Sequence, residues 1–489
     1  MEQSAEHLNN ASWLVGRRDQ PDDAKIVSLA SLCVIALFAA TLAGILFQDV
    51  PLVLIPTGFC LLASSLFLVR SAAIQYLGTA KLLCSLFFAL ATLHIAGGFL
   101  LAGLTTAHTS IRSNEGTYYA NSLMINGVGL LAAALGYAWK LSRNSLGLSL
   151  ATFTSVNGDV AEKLFRVFAV TGSAIMFYIY WRLGFLDYLS NPAKWPFFRY
   201  ITSDLLGGTA TDEWFANRAM DLLTVSLPFL VYRLVNHRRS RLLNGLLVPG
   251  GCVALLLPLR RASLLGVLFA SLILIGIGRH DVYRLTRRWL LTIGGLYVFS
   301  QCVFLVSVLA KDFNPQALLT VSSTALPEVR DLAWTLNRLE GQQLDGITFA
   351  QALIPLPSIA SDWSAKHSLR AISTKLIGVD QTGESGGLRL TLMGEGFINF
   401  GYLGTITISF LWGIGVAWCE HLLASVEQIP SAYRNYVAVM CFVWICFLIY
   451  LAGTQAAASV KMGALLLLTV AWLSRGRLQS GLSIQEARA

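Results

Sequence analysis

The stretch Leu82–Leu104, LLCSLFFALATLHIAGGFLLAGL, decides the fold class. It contains no Asp, Glu, Lys or Arg, and its single histidine, His94, lies near the middle. About twenty apolar residues are what a helix rising 1.5 Å per residue needs to cross a hydrocarbon core roughly 30 Å thick. In hydrocarbon the backbone must satisfy its own N–H and C=O groups, and a helix does this within one segment. A histidine in such a run is expected to find a hydrogen-bond partner inside a helix bundle, since an unpaired polar group is costly there.

Similar runs recur along the chain, at roughly 26–47, 51–69, 118–139, 164–185, 220–236, 242–257, 262–278, 289–309, 395–418, 434–453 and 456–474, which with 82–104 makes about twelve spans. Composition agrees: the 489 residues are 55% hydrophobic and only 13% charged, with a mean hydropathy of +0.62. A soluble chain carries about twice that charge on its wetted surface. The expected fold is therefore an all-α, polytopic integral membrane helix bundle. Its parts are a cytoplasmic N-terminal segment (1–25), nine spans (26–309), a large outer loop with short helices (310–394), three further spans (395–474) and a cytoplasmic tail (475–489). The run 26–47 is too long for a signal-peptide core and lacks a clear cleavage site, so it reads as the first transmembrane helix.

The net charge of +9 does not point to nucleic acid. Arg17, Arg18, Arg70, Lys81, Lys140, Arg143, Arg238, Arg239, Arg284 and Arg288 sit in short segments between apolar runs, as topology signals do, and they place both termini inside. Three outward segments keep positive charge against this rule: 186–219, the turn Pro258-Leu259-Arg260-Arg261, and the long loop 310–394. Cations retained on the outer side suit an anionic substrate; for Arg260 and Arg261 the competing reading is side chains that reach lipid headgroups. The eight cysteines all lie in or at the ends of apolar runs, with no CxxC pair, so free thiols are expected.

Within the long loop, Pro327–Gly341 has a helical pattern, with Val329, Leu332, Ala333, Leu336 and Leu339 on one face and Arg330, Trp334, Asn337 and Arg338 on the other. A second helical piece is expected over Ser361–Leu376, with Asp362, Lys366 and Arg370 in one line. Gly383–Gly387 reads as a flexible joint. The sequence has no P-loop, no dinucleotide-binding glycine motif, no HExxH and no GxSxG. The aromatic set Trp195, Phe197, Phe198 and Tyr200 reads as an interfacial belt or as a sugar-stacking platform. Lys461, inside the last span, should face a cavity or a carboxylate, and Glu420-His421 reads as a solvated helix end.

The stretch richest in chemistry is Gly394-Glu-Gly-Phe-Ile-Asn-Phe-Gly-Tyr-Leu-Gly404, which is expected to open an apolar helix from the outside. Glu395 and Asn399 are four apart and share a face. Glu395 has two readings: a base or sugar-hydroxyl ligand, or a carboxylate favoured by a helix N-terminus among glycines that allow close packing.

This stretch resembles the signature of the O-antigen and exopolysaccharide polymerases, the Wzy-like family of oligosaccharide repeat unit polymerases. Leu259-Arg260-Arg261-Ala262-Ser263 resembles their Arg-Arg-small turn, and Gly346-Ile347-Thr348-Phe349 with Ala352-Leu353-Ile354-Pro355 resembles their Gly-x-Thr-Tyr…Ile-Pro segment, with Phe349 in place of the tyrosine. The resemblance implies a GT-C-like membrane glycosyltransferase in the bacterial inner membrane, its active site facing the periplasm. It would extend glycans carried on undecaprenyl pyrophosphate without a cofactor or metal. Donor and acceptor would both be lipid-linked oligosaccharides, with membrane lipids, a flippase and a chain-length regulator as further partners and no nucleic acid. The leaving pyrophosphate needs cations, and arginine binds phosphate oxygens in a bidentate fork. Arg260, Arg261, Arg330, Arg370 and Arg389 are the candidates, with Asn399 for sugar; catalysis falls to Glu395 or His367 as base, assisted by Arg261. The rivals are an O-antigen ligase, which relies on a loop histidine and keeps His367 in view, and a transporter or flippase of lipid-linked sugars.

Overall fold

The computed structural model describes residues 54–77, 82–106, 115–143, 157–185, 207–236, 241–258, 261–276, 328–339, 341–349, 367, 372, 390–426, 432–452 and 457–475. Every regular element among them is helical. In chain order they are α1 (Leu54–Leu77), α2 (Leu82–Thr106), α3 (Glu115–Ser142), α4 (Gly158–Arg182), α5 (Ala210–Asn236), α6 (Arg241–Leu256), α7 (Arg261–Gly276), α8 (Glu328–Leu339), α9 (Leu392–Val426), α10 (Ala432–Phe442, continued by a π turn Val443–Leu448 and Ile449–Ala452) and α11 (Ala457–Arg475).

Four of these helices are long and apolar enough to cross a membrane: α1, α3, α4 and α9. Apolar side chains also cover the outside. Leu242 is 90% exposed, Leu403 75%, Trp472 74% and Trp181 73%. Apolar exposure on this scale would be a liability in water and is ordinary against lipid. The chain is a helical membrane protein. The expected spans 26–47 and 289–309 lie outside the described residues, and α6 and α7 run only 16 residues each. The expected span 51–69 is longer than its apolar core: α1 continues through Arg70 to Leu77, because helix formation does not stop where hydropathy falls.

Small residues set the packing of the first half. A Cβ on Gly136 of α3 would lie 2.1 Å from Phe410 O, and one on Gly413 of α9 would lie 1.9 Å from Ala133 O. The α3 and α9 backbones therefore touch, a contact that lipid-embedded helices gain by placing glycine at the crossing. On its other side α3 meets α1, where Gly127 faces Gly58 O and Leu61. Aromatic rings then tie the halves together. Phe87 of α2 packs on Trp412 of α9 and Tyr450 of α10, while Phe165 of α4 packs on Phe229 of α5 and Tyr436 of α10.

Charges mark the two ends of α4 and α5. At the end assigned inward by the basic loops, Arg233 of α5 donates through Nε to Glu162 Oε2 at 2.6 Å and through Nη2 to Asp159 Oδ1 at 2.5 Å. Arg166 bonds Glu162 Oε1 at 2.5 Å and Asn244 Oδ1 at 2.9 Å, and Asn244 Nδ2 returns to Glu162 Oε1 at 3.0 Å. At the opposite end Arg182 of α4 pairs with Asp212 of α5. Both pairs join neighbouring helix ends, which fixes α4 and α5 as antiparallel partners. Glu420 corrects the expectation of a solvated helix end: it is buried at 1% exposure, because α9 continues past it to Val426 within the bundle.

Candidate functional site

Helices α2, α8 and α9 bring polar side chains together around α3. The expected loop helix is present as α8, and it lies in the bundle against α2 and α3. Val329, Leu332, Ala333 and Leu339 are buried as the pattern required, but so are Glu328, Asp331 and Thr335 on the same helix. Each has a partner. Thr335 donates to Asp331 O at 2.7 Å. Asp331 accepts from Arg330, whose guanidinium also sits 4.8 Å over the Trp334 ring. Glu328 Oε2 meets His94 Nε2 at 2.8 Å. From α3, Ser122 donates to Val329 O at 2.8 Å.

The stretch 394–404 departs from the expected single helix. Phe400 (φ −140°, ψ 17°) and Gly401 (φ 62°, ψ −155°) leave helical geometry, and the chain folds back on itself. Three contacts establish the reversal. Thr405 Oγ1 donates to Met393 O at 3.2 Å. A Cβ on Gly404 would stand 2.3 Å from Gly396 O. Met393 and Ser409 both border Gly129 of α3. In one straight helix residues 393 and 409 would lie about 24 Å apart. The motif is thus a helical hairpin of arms 392–399 and 402–426, with glycines where the arms touch and Gly401 at a left-handed φ that a Cβ opposes. Apolar content is even across both arms, so hydropathy alone sees one span.

The hairpin changes where the acid sits. Glu395 was expected at the mouth of a helix; instead it is wholly buried at 0% exposure, one turn inside a short arm that starts at Thr391 and rises to the turn. Thr391 accepts from Gly394 N at 3.1 Å and donates to Asn126 Oδ1 of α3 at 2.6 Å, so the arm's first turn is capped and anchored. Asn399, also at 0% exposure, donates through Nδ2 to Glu395 O and to Thr348 Oγ1, both at 2.8 Å. Its Oδ1 is buried without a hydrogen-bond partner.

The segment 341–349 covers the hairpin turn. Leu344 N donates to Ile398 O at 2.9 Å, one of the carbonyls the break releases. Gly346 (φ 81°) lies under the Phe400 ring, 2.5 Å from where its Cβ would be, and Phe349 stacks on Phe400 at 6.1 Å between centroids. Where a tyrosine was expected from the family pattern, Phe349 therefore contributes a ring face.

The remaining sequence candidates divide. Glu395, Asn399 and Arg330 belong to elements that meet α3. Arg261 opens α7, and His367 is half-buried. Arg260, Arg370 and Arg389, with the helical piece expected over 361–376, lie outside the described residues. The sequence showed neither the pairing of Thr348 with Asn399, 51 positions away, nor that of His94 with Glu328. The signal for the latter was an isolated histidine in a charge-free span, which calls for a partner from elsewhere.

One charged group at this face has its ionisation set by geometry. Burial of Asp212 works against its charge, but hydrogen bonds from Thr209 N–H and hydroxyl and the Arg182 guanidinium outweigh it and hold the pKa below the ordinary aspartate value.

The fold and site together define an all-helical membrane protein with a buried polar site at one end, built on a broken helix. Compared with protein-family models, with curated proteins and with solved structures, the chain matches none.

Proposed function

We propose that this chain is a GT-C-like membrane glycosyltransferase with about twelve spans, by the length criterion for a crossing helix, that polymerises lipid-pyrophosphate-linked oligosaccharides on the outer face of a bacterial inner membrane. The observation that carries the reading is the joining of two distant sequence pieces. The Gly346–Phe349 segment and the Gly394–Gly404 stretch, each of which resembles a part of the polymerase signature, bond through Asn399 and Thr348 and stack through Phe349 and Phe400. They enclose an amide oxygen without a partner, which a sugar hydroxyl would satisfy.

The chemistry follows from the substrate. An acceptor hydroxyl attacks the anomeric carbon, the bond to the pyrophosphate oxygen breaks, and the lipid pyrophosphate leaves with the electron pair. Arginines offset the charge that develops on it. Arg261, the first residue of α7, and Arg260 before it in sequence are the first choice, with Arg330, Arg370 and Arg389 of the long loop segment. Purified protein in lipid nanodiscs, given lipid-linked repeat units and neither nucleotide sugar nor added metal, should lengthen the glycan. Arg260→Ala/Arg261→Ala should shorten the products sharply. Failure of the unchanged chain to elongate any lipid-linked glycan, or elongation unaffected by the double substitution, would contradict the reading.

A further inference from the structure

A second acid–base group, met halfway along α2, is none of those the sequence nominated. Glu328, in the first turn of the loop helix α8, holds His94 of the membrane helix α2 at 2.8 Å, and His94 Nδ1 lies 3.3 Å from the Tyr450 hydroxyl of α10. Three helices thus contribute one carboxylate, one imidazole and one phenol in a line. Nε2 faces the carboxylate, and the Tyr450 hydroxyl lies within reach of both His94 Nδ1, at 3.3 Å, and Ala91 O, at 3.4 Å, so its single proton serves one of the two. Tyr450 is itself placed by the π turn Val443–Leu448, where Trp412 Nε1 donates to Ile445 O at 2.7 Å. Such π insertions recur at functional sites.

We propose that Glu328 is the general base for the acceptor hydroxyl, with His94 and Tyr450 as its positioning residues; this rests on the polymerase reading above. Two observations favour it over Glu395. The side chains of Glu328 and His94 keep 9% and 13% of their exposure, whereas Glu395 has none and sits inside the hairpin. Glu328 also stands where the outer loop enters the bundle, two residues from Arg330, a candidate for the departing pyrophosphate.

In the step, the acceptor O–H proton passes to the Glu328 carboxylate as the new C–O bond forms. The anomeric carbon–oxygen bond to pyrophosphate breaks at the same time, and the lipid pyrophosphate carries off the electron pair. The base is oriented by an imidazole that is oriented in turn, the usual arrangement for a group that must accept a proton in a fixed direction. Among the described residues, Tyr450 from α10 reaches the pair, and Arg330 and Asp331 follow Glu328 on α8. Its own helix α2 contains no charged residue, and α3 brings the neutral Ser122.

The test is the elongation rate of the full chain in nanodiscs as a function of pH, alongside affinity for the lipid-linked donor. Removing a general base costs about 10²- to 10⁴-fold. Glu328→Gln should lower kcat by that much with donor affinity within about threefold. Glu328→Asp should restore part of the rate, and Tyr450→Phe should cost about tenfold or less while moving the acid limb of the profile, as a positioning residue does. A Glu328→Gln protein that keeps the rate and pH profile overturns the assignment. So does a set in which Gln and Asp variants lose rate and donor affinity together, since that marks the pair as a latch for α8. A wild-type chain that elongates nothing overturns the polymerase reading itself, a result distinct from either.

Discussion

Two buried polar regions stand at opposite ends of this bundle, and their difference separates scaffold from site. At the inner end, Glu162 accepts from Arg166, Arg233 and Asn244, and both guanidiniums are engaged by side chains of α4 and α6. These groups are paired with one another, although Asp159 is exposed and Asn435 Oδ1, next to the Tyr436 that packs on Phe165, has no hydrogen-bond partner. At the outer end the polar groups sit on a helix broken at Gly401, on a loop helix drawn into the bundle and on a π-distorted helix, and one amide oxygen has no partner. A paired network among regular helices holds them together. An incomplete one on distorted backbone leaves capacity for a ligand.

The sharpest way to break the comparison is Arg233→Ala. It leaves Glu162 with Arg166 and Asn244 and should cost about 3 kcal/mol of stability, the upper range for hydrogen bonds to a charged group; thermal unfolding in detergent measures it. Protein that survives should retain its glycan-elongation rate. Next comes Gly401→Ala, which forces a side chain into a left-handed φ and should cost about 1–3 kcal/mol. Here activity should fall further than stability, because the hairpin turn carries Asn399. Asn399→Leu should cost about 2 kcal/mol in unfolding, the worth of its two hydrogen bonds. Elongation should nevertheless fall by about tenfold or more, since a bond to substrate of roughly 1.4 kcal/mol is a factor of ten. If unfolding and elongation fall in proportion for Asn399, the outer cluster is scaffold like the inner one.

The smallest effect belongs to Arg182–Asp212. The folded pKa of Asp212 lies below its unfolded value of 3.8, so the pair's contribution is fully present above about pH 4 and is lost as pH falls through the folded value. Half-exposed Arg182 and solvent screening keep it under about 1 kcal/mol. A pH series of unfolding midpoints, in which Asp212→Asn loses the acid dependence of the unchanged chain, checks the sign.

How far sequence reaches differs by element. Apolar periodicity located α8 and its buried face, because i, i+3, i+4 spacing is a local property. It could not show that Glu328, Asp331 and Thr335 are buried too, since burial depends on the neighbouring helices α2 and α3 and the partner of Glu328 lies on α2. His94 was expected to bond within the bundle and does so, but Glu328 is 234 positions away. Phe400-Gly401 was read as part of a continuous span for a different reason: a long helix and a hairpin of two apolar arms have the same composition. Glu395 and Asn399 were placed on one face correctly, and their depth was misjudged, because depth depends on the reversal.

The most direct measurement is a cryo-EM map of the protein with a lipid-linked oligosaccharide bound. If the outer end is the catalytic site, the sugar will lie against Asn399 and Thr348 with its pyrophosphate toward the arginines of the loop and of α7. Density at the inner network, or a sugar away from the hairpin, would contradict it.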